Sequence, residues 1–496
     1  MDKSKREKKD KQKFVEINKT TNFSEWYRKL ITSNNLIKNY DISGCYILLP
    51  KSYEMWEKIK YYLDFEFKNK SVQNVYFPLL ITENNLQKEQ NFLSGFKPEV
   101  AWVTESGESK LDKKLAIRPT SECAFYPTFS DIIRSYSHLP LKWNQWANVL
   151  RWEFSDPTPF IRSREFLWNE GHCAFATEKE AENNAIEMIN IYKSLYENLL
   201  CVPVISGIKT SDETFAGAVK TYTLEAFIPE AGRAIQCATS HCLGQNFSKM
   251  FDIKYLNQEN KFNYVWQTSW GVTTRSIGTM LMTHSDDKGL ILPSKFSQYH
   301  IVIISIYKNK NYEKIDNYCN TIVNYYKSLG FLVFHDSDTN NSPGFKYNKW
   351  ESLGIPIRFE VGAKEVETSK ITVVKRTEFK KKETYDYKLY AESLNDILKN
   401  YDRNLYFIAQ EKLLKSIKCI ENIIQLEKKS NSSNIFCCNL CDNESCIKKI
   451  KDLKMKTLCV PDQVSIDKYI NNKSENNKCI NCSNTKYNIC LIGKTF

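Results

Sequence analysis

A short stretch of this chain combines arginines with aromatic residues, and these residue types suit a ligand that carries phosphate. The stretch comprises two predicted strands joined by a proline-containing loop, over residues 149–154 and 162–172, with Arg151, Arg162 and Arg164. A guanidinium group stays charged and binds phosphate oxygens bidentately, while a ring such as Phe166 or Trp168 offers an apolar shelf to adenine or a small substrate ring. The stretch predicts a nucleotide site. An edge hairpin whose arginines pair with nearby glutamates is the alternative.

Three further segments carry side chains that suit the same site. They are residues 117–122, 236–241 and 269–278. In the first, Glu122 and the Thr120 hydroxyl could hold a small cationic group of a substrate. The second is small and polar, so it could approach a ligand closely. In the third, glycines admit close backbone approach, and Arg275 begins an apolar helix that would hold its side chain still.

Each of these segments, taken singly, also has an ordinary structural explanation. Thr120 after a proline suits a turn and a helix cap, and Arg275 suits an ion pair at a helix end. For His241 alone, a hydrogen-bonded position in the core is the favoured interpretation. The sequence contains no GxGxxG, Walker-type or HExxH pattern, so the site has to be recognised from the whole set of segments.

Length and composition bound the class of protein. With 496 residues, of which 42% are hydrophobic, the chain should fold into three or four domains with their own cores. The net charge of +12 favours polyanionic partners without requiring one. We find neither an apolar run long enough to span a bilayer nor a secretory signal, which predicts a cytoplasmic protein without a membrane partner. The basic residues before position 14 predict a solvated tail, with a weak RNA contact as the alternative.

The region before residue 80 has the pattern of a dimer surface. Residues 22–35 predict a short helix, and Ser52 can cap a longer helix that follows. Residues 75–80 are apolar and rich in β-forming types, but Pro78 lacks a backbone donor and should lie at a sheet edge or an interface. A long helix that leads into such an edge strand is a plausible surface for a second copy of the chain.

Two later regions differ in how strands and helices alternate. Residues 116–278 alternate irregularly, which predicts an antiparallel sheet with helices around it. From about residue 299 to 361, strands and helices alternate regularly, which predicts a small α/β domain with a largely parallel sheet. The boundary between these regions should lie near residues 293–299.

Eight of the 16 cysteines lie between Cys437 and Cys490. The spacings Cys441-x4-Cys446 and Cys479-x2-Cys482 give two thiolate pairs, which suit a tetrahedral structural Zn²⁺ ion. Cys437 and its neighbour Cys438 are competing ligands. A zinc site is favoured over free thiols, and the cysteines outside this cluster are expected to be small core residues.

Taken together and in order, these segments resemble the motifs of the prolyl-tRNA synthetases, a family of class II aminoacyl-tRNA synthetases, in their archaeal and eukaryotic form. Motif 1 of the class corresponds to the helix after Ser52 and the Pro78 strand, motif 2 to residues 151–166, and motif 3 to residues 271–278. Three runs are specific to the proline enzymes: residues 118–122, 166–172 and 239–241. The resemblance extends from about Phe23 to Phe496.

The resemblance implies a domain organisation. It implies an α+β catalytic domain, with the class II antiparallel sheet and flanking helices, over residues 21–296. An α/β anticodon-binding domain would follow over residues 297–398, and a small C-terminal α+β domain of the zinc-binding type over residues 399–496. Residues 1–20 would form the basic tail. The family also implies a homodimer through the motif 1 region, and an aromatic C-terminal residue, here Phe496, that reaches towards the catalytic domain.

The resemblance further implies the roles of individual residues. L-proline would be bound by Thr120, Glu122, Arg151, Trp168, His172, Phe215 and His241. ATP would be bound by Arg151, Arg162, Phe166, Gln236, Thr239, Thr273 and Arg275, with a Mg²⁺ ion near Gln236. The residues expected to carry catalysis are Arg151, Arg275 and Glu122. The metal ligands of the C-terminal domain would be Cys441, Cys446, Cys479 and Cys482. Bases of the tRNA(Pro) anticodon would meet Glu351, Arg358 and Glu365, for which solvated ion pairs are the alternative.

These residue types suit the reaction that the family implies. The proline carboxylate attacks the α-phosphorus of ATP to form prolyl-adenylate, and the prolyl group then passes to the 3′ end of tRNA. Because a carboxylate is already a nucleophile, no side-chain base is needed. Cations lower the barrier by holding the substrates in line and by neutralising charge on the phosphates. The chain departs from the family pattern at Cys237, Ala238 and Cys242, where two glycines and a histidine are common.

Two rival functions follow from the same residues. A threonyl-, glycyl- or histidyl-tRNA synthetase shares the class motifs, but the threonyl enzymes need a Cys/His/His zinc set that this site lacks. A catalytically silent, RNA-binding scaffold would have no need for the phosphate-binding arginines. Intact Arg151, Glu122 and Arg275 therefore favour the enzyme.

Overall fold

The computed structural model describes residues 17–92, 100–153, 156–307, 312–470 and 477–496. The predicted basic tail, residues 1–20, therefore lies outside the described residues except for its last four positions. Among the helices that the structure describes, none combines the length and the apolar character needed to cross a membrane.

The N-terminal part of the chain, as far as Ile132, contains four helices and six strands among the residues that the structure describes. They are α1 (Phe23–Ser33), β1 (Ile37–Asn39), β2 (Tyr46–Leu48), α2 (Pro50–Asn69), β3 (Gln73–Asn74), β4 (Leu80–Thr82), α3 (Glu83–Phe92), β5 (Trp102–Ser106), β6 (Ser109–Ile117) and α4 (Glu122–Ile132). The predicted helix over residues 22–35 is confirmed: α1 is capped by the Asn22 side chain, and it buries Trp26, Leu30 and Ile31.

Two local predictions in this part were wrong. Helix α2 begins at Pro50, so Ser52 lies inside the helix, where its hydroxyl donates to the carbonyl of Leu36 instead of capping. Residues 75–80 do not form one strand, because β3 ends at Asn74 and β4 begins at Leu80 in a different sheet. The backbone N–H of Phe77 bonds to the Gln145 side chain, and the next residue, Pro78, has no N–H to offer.

The central part of the chain supplies the main antiparallel sheet. Its elements are β7 (Leu141–Leu150), β8 (Glu165–Phe175), α5 (Glu178–Ser194), β9 (Ile205–Ile208), β10 (Lys220–Ile228), β11 (Arg233–Gly244), α6 (Asn246–Met250), β12 (Lys254–Leu256), β13 (Phe262–Tyr264), β14 (Trp266–Thr273) and α7 (Arg275–His284). Neighbouring strands in the order β9-β10-β11-β14-β8-β7 are all antiparallel. The predicted antiparallel sheet with flanking helices is confirmed.

The next part is a five-stranded α/β unit. Its elements are β15 (Ile301–Ser305), α8 (Tyr312–Ser328), β16 (Val333–Asp336), α9 (Pro343–Ser352), β17 (Ile357–Val361), α10 (Ala363–Thr368), β18 (Lys370–Lys375), β19 (Glu383–Asp386), α11 (Tyr387–Glu392) and α12 (Leu394–Ser416). The sheet order is β16-β15-β17-β18-β19. Strands β16, β15 and β17 are parallel, as predicted, whereas β18 and β19 add an antiparallel edge.

The C-terminal part extends the main sheet. Its elements are β20 (Ile417–Cys419), α13 (Ile423–Lys429), β21 (Ile435–Leu440), α14 (Glu444–Asp452), β22 (Lys456–Pro461), α15 (Gln463–Tyr469) and β23 (Asn488–Gly493). Strand β22 pairs with β9, so the order β20-β21-β23-β22-β9 continues into the central strands and gives eleven strands in all. At this seam, a Cβ atom on Gly207 would lie 2.4 Å from the Val460 carbonyl oxygen, which requires glycine there.

Candidate active site

A cavity of about 310 Å³ opens over the central strands of the main sheet. Every residue that the sequence predicted for proline or ATP lines this one cavity. They are Thr120, Glu122, Arg151, Arg162, Phe166, Trp168, His172, Phe215, Gln236, Thr239, His241, Thr273 and Arg275. Segments far apart in the chain thus meet at one place, although the role of each residue stays a prediction.

The strand register explains why these side chains meet. His172 of β8 lies opposite Ser269 of β14, which in turn lies opposite His241 of β11. Successive residues of a strand alternate between the two faces, so Trp168 and Glu170 share the face of His172. This row of side chains forms the floor of the cavity. The hairpin β7–β8 and the start of α7 then bring arginines to its wall.

The arginines of the cavity are held by main-chain oxygens. Arg151 donates from Nε to the Pro119 carbonyl at 2.9 Å, and its guanidinium lies 5.3 Å from the centre of the Trp168 ring. Arg275 donates to the carbonyls of Ile161 and Gln236, both at 3.1 Å. Carbonyl acceptors fix a guanidinium without neutralising its charge. The wall therefore presents positive charge to the cavity.

Electrostatics within the wall support this description. Burial lowers the pKa of Arg275, and the nearby guanidinium groups of Arg162 and Arg151 lower the pKa further. Arginine nevertheless remains charged at neutral pH. Arg162 also donates to the main-chain oxygen of Phe496, which brings the C-terminal segment to the cavity, as the resemblance implied. Cations that repel one another are tolerated where an anion is to be bound.

The cavity also contains buried carboxylates. Thr120 donates from its hydroxyl to Glu122, and both side chains are buried. A second buried carboxylate, Glu170, accepts from the Ser121 N–H at 3.1 Å and from the Gln145 amide at 2.9 Å. Glu170 was not among the predicted site residues, although it lines the cavity. Its two-residue spacing from Trp168 and His172 on one strand was the signal that could have found it.

The histidines of the cavity are held by neighbouring side chains. His241 shares a 3.0 Å hydrogen bond with the Thr221 hydroxyl through Nδ1, and its ring packs 4.6 Å from that of Phe215. Burial, with a smaller contribution from His172, lowers the pKa of His241 to about 3, so the ring is neutral at neutral pH. His241 therefore has both the hydrogen bond expected of a core histidine and a place in the cavity.

Glycines allow the floor to form. A Cβ atom on Gly171 would lie 2.2 Å from the Trp270 ring, and one on Gly271 would lie 2.8 Å from the Asn169 carbonyl oxygen. Neither neighbour could move without disturbing the sheet. At the positions that depart from the family pattern, Cys237 and Ala238 line the cavity, and burial raises the pKa of the Cys237 thiol. Cys237 thus behaves as a small apolar residue of the floor.

The predicted anticodon residues lie in the five-stranded unit and are engaged with one another or with the backbone. Arg358 is almost fully buried and donates to Glu351 at 2.9 Å and to Glu360 at 3.0 Å, with its guanidinium over the Tyr347 ring. Glu365 accepts from the Gly362 N–H at the start of α10 and from the Thr372 hydroxyl. Glu351 and Arg358 thus form an ion pair, but it is almost buried and not solvated as the alternative had it, while Glu365 bonds to a backbone N–H and a hydroxyl.

Four cysteines meet in the C-terminal part. The sulfur atoms of Cys441, Cys446, Cys479 and Cys482 all lie within 4.8 Å of one another, so the cluster could bind a metal ion. The Cys441–Cys482 and Cys446–Cys479 sulfur distances are 3.4 and 3.9 Å. The competing candidates Cys437 and Cys438 lie in β21, outside this cluster.

Comparison with family models matches two parts of the chain. Residues 102–284 match the tRNA synthetase class II core domain (G, H, P, S and T), and residues 300–400 match an anticodon binding domain. The first match contains the strands and helix that form the floor and wall of the cavity. The second contains Arg358 and its partners.

Whole-chain comparisons give consistent similarities. The chain is 43% identical to the cytoplasmic proline--tRNA ligase of Arabidopsis thaliana, over 90% of this chain and 85% of that protein. It is 37% identical to the proline--tRNA ligase of Encephalitozoon cuniculi, over 98% of this chain and 100% of that protein. A crystal structure of prolyl-tRNA synthetase from Cryptosporidium parvum with L-proline and AMP superposes with a TM-score of 0.90 at 40% identity, covering 97% of each chain. The same enzyme complexed with halofuginone and AMPPNP gives a TM-score of 0.92 at 41% identity, covering 97% of this chain and 99% of that one.

Proposed function

Because this chain belongs to the prolyl-tRNA synthetases, the class II proline--tRNA ligases that use ATP, we propose which of its residues carry out each part of that reaction. We keep the division into a tail over residues 1–20, a catalytic domain over 21–296, an anticodon-binding domain over 297–398 and a cysteine-rich domain over 399–496. The observation that carries the proposal is the convergence of Arg151, Arg162 and Arg275 in one cavity with Thr120 and Glu122.

In the first step, the cationic wall positions ATP against proline. Arg151 is held by the Pro119 carbonyl, next to Thr120, and its guanidinium lies near the rings of Phe166 and Trp168. From there it would contact both the proline carboxylate and the α-phosphate and bring them into line. Arg275, fixed by two carbonyls, neutralises the charge that develops on the leaving phosphates. Phe166 stacks on adenine, while Arg162, Thr239 and Thr273 complete the nucleotide contacts. Positioning and charge stabilisation are therefore the whole of the catalysis.

Glu122, Thr120 and the rings that line the cavity with them would select proline. The secondary ammonium group of proline donates to Glu122 and Thr120, which already share a hydrogen bond. Trp168, His172, Phe215 and His241 enclose the pyrrolidine ring. Because His241 is neutral, it adds no positive charge beside the ammonium group. A missing methylene is worth only about 1–3 kcal/mol, so a close fit of these rings around proline is needed to reject alanine.

We further propose that Mg²⁺ accompanies ATP near Gln236. The Gln236 side chain lines the cavity beside Arg275, and an amide oxygen is a suitable donor for a hard cation. When bound near Gln236, the ion would supply further positive charge to neutralise the phosphates. The arginines would still fix the position of the triphosphate.

In the second step, the prolyl group passes to tRNA(Pro), which the anticodon-binding domain selects. Glu351, Arg358 and Glu365 would meet anticodon bases. Arg358 and Glu351 are paired in the free protein, so a base would have to exchange with one of these partners. Splayed bases present hydrogen-bonding edges that such groups can satisfy.

We propose that the four-cysteine cluster holds a structural Zn²⁺ ion. Tetrahedral ligation with Zn–S bonds of about 2.3 Å places sulfur atoms about 3.8 Å apart. The observed distances of 3.4 and 3.9 Å fit that geometry. Changing Cys479 and Cys482 to Ser should lower both metal content and thermal stability. Equal metal in the variant by elemental analysis would contradict this ligand assignment.

We propose a cytoplasmic homodimer formed through the motif 1 region. Helix α2 and the segment after it expose large apolar side chains in the single chain: Tyr61 is 80% exposed, Phe65 60% and Tyr76 74%. Exposed aromatic residues grouped in one region mark a site of association. Sedimentation of the protein, and of a Phe65→Glu variant, tests the dimer. A monomeric mass for the unaltered protein would contradict it.

Amino-acid-dependent exchange of pyrophosphate into ATP tests the proposed function. Exchange with proline alone supports it, whereas exchange with threonine alone would select the related synthetase. If no amino acid supports exchange, the result would favour the catalytically silent, RNA-binding scaffold over the enzyme. Charging of tRNA(Pro) then tests the second step.

A further inference from the structure

A second cavity lies behind the candidate active site, between the main sheet and the C-terminal part. Its volume is about 200 Å³, whereas one water molecule needs only roughly 10–15 Å³ of such space. It can therefore hold a ligand of phosphate size. The two cavities share part of their lining: Ile161, Arg162, Glu213, Gln236 and Arg275. We call this second space the rear cavity.

The rear cavity has more cationic than acidic side chains. Arg162, Arg275, Lys209 and Lys456 line it together with Glu213 and Glu225. Lys209 and Glu225 form a buried ion pair at 2.8 Å, and this pair is neutral as a unit. Arg275 is held by carbonyl oxygens, so its positive charge remains available to a ligand on either side.

Lys456 places a cation at the outer end of the rear cavity. It is the first residue of β22, the strand that joins the C-terminal part to β9. Its ammonium group lies 3.1 Å from Glu213, and its side chain is 51% exposed. The rear cavity thus runs from buried Arg275 to the Lys456–Glu213 ion pair, whose lysine is in contact with solvent.

We propose that the rear cavity is a subsite for inorganic pyrophosphate, through which this product leaves and by which it enters in the reverse reaction. When the proline carboxylate oxygen attacks the α-phosphorus, the bond to the bridging oxygen breaks, and pyrophosphate departs with that electron pair. The adenylate then occupies the cavity of the candidate active site. Pyrophosphate, a polyanion beside Arg275, can move towards Lys456, where it would replace Glu213 as the anionic partner of the ammonium group. The inference rests on the proposed ATP role of Arg275.

The chain offers a matched control for Lys456. Lys451 also lies in the C-terminal part, pairs with Asp212 at 2.9 Å, and is 48% exposed, but it does not line the rear cavity. Full-length Lys456→Ala and Lys451→Ala variants remove the same charge from similar environments. Only Lys456→Ala should weaken the binding of pyrophosphate.

Pyrophosphate exchange with varied pyrophosphate and saturating ATP and proline is the assay. In Lys456→Ala, the KM for pyrophosphate should rise on the order of three- to tenfold, while the KM values for ATP and proline stay within about twofold. Lys451→Ala should leave all three values within about twofold of the unaltered protein. Lys456→Arg should restore the KM for pyrophosphate.

A Glu213→Gln variant supplies a test of opposite sign. Removing an anion from the route should lower the KM for pyrophosphate, whereas simple loss of packing would raise it. An equal rise in the KM values for ATP and pyrophosphate in Lys456→Ala would assign the rear cavity to the tail of bound ATP and overturn the inference. An unchanged KM for pyrophosphate would also overturn it. Failure of the unaltered protein to exchange at all would instead contradict the proposed function.

Discussion

Arginines in two regions of this molecule are held in opposite ways. In the candidate active site, Arg151 and Arg275 donate to main-chain carbonyls. In the five-stranded unit, Arg358 donates to the carboxylates of Glu351 and Glu360. Carbonyl oxygens fix the guanidinium group but leave its charge for a ligand, whereas carboxylates neutralise it. An arginine held by carbonyl oxygens is therefore ready to bind a polyanion. An arginine held by carboxylates can bind a ligand only if the ligand displaces one of them.

The largest expected effect is at Arg151. Changing Arg151 to Ala should reduce proline-dependent pyrophosphate exchange by at least about 10³-fold, because a group that touches both substrates in the reaction is lost. Arg164→Ala is the matched control, since Arg164 lies in the same hairpin but does not line the cavity. Normal exchange in Arg151→Ala would refute the role of this residue.

An Arg275→Lys variant separates the effect of the positive charge at residue 275 from the effect of holding that charge in a fixed position. Lysine keeps the positive charge but cannot reproduce both donations to the carbonyls of Ile161 and Gln236. We expect single-turnover adenylate formation to slow by about 10²-fold. A rate close to that of the unaltered protein would mean that charge alone suffices, and the contrast between carbonyl-held and carboxylate-held arginines would lose its meaning for catalysis.

Arg358→Ala should affect tRNA without affecting adenylate formation. One lost base contact is expected to raise the KM for tRNA(Pro) about tenfold in charging assays, while pyrophosphate exchange without tRNA stays unchanged. Lys381→Ala, which removes an exposed ion pair with Glu383 in the same unit, is the control. Equal losses in both assays would indicate that Arg358 acts through folding alone.

The smallest expected effect is on stability, and it depends on pH. Burial opposes ionisation of Glu351, but Arg358 and Lys288 outweigh burial and hold its pKa below 4.5. Its carboxylate therefore stabilises the fold above pH 4.5, and this contribution is lost as the pH falls through the lower pKa of the folded state. Glu351→Gln should lower the free energy of unfolding by about 1–3 kcal/mol at neutral pH. Urea unfolding should show this difference shrink in acid, and a constant difference would contradict the ion-pair account.

Much of the fold and site could be predicted because the relevant signals are local in sequence. Irregular alternation of strands and helices predicted the antiparallel sheet, and Arg275 before an apolar run predicted a fixed cation at a helix start, as found in α7. The residues of the proline and ATP sites could be named from motifs, and they line one cavity. Spacing indicated the pairs Cys441–Cys446 and Cys479–Cys482 but left Cys437 and Cys438 as competing ligands, and the structure brings together only the four paired cysteines.

The remainder depends on contacts that distant segments supply. Ser52 has the chemistry of a cap, but Pro50 suits the first turn of a helix and moved the start of α2. Residues 75–80 have strand propensity, but the backbone N–H of Phe77 donates to the Gln145 side chain and not to a neighbouring strand. Glu170 accepts hydrogen bonds from Ser121 and Gln145, which lie in two other segments. The residues next to Glu170 in the sequence therefore did not indicate these partners.

Pairing of β22 with β9 has a consequence for biosynthesis. During translation, β9 is complete long before Val460, its partner at the seam, leaves the ribosome. Until then, one side of the catalytic sheet has exposed backbone donors and acceptors, which can pair with other nascent chains. Strand β22, which is made late, thus protects the edge of β9 from pairing with other chains. Any truncation before residue 456 would leave the edge of β9 exposed.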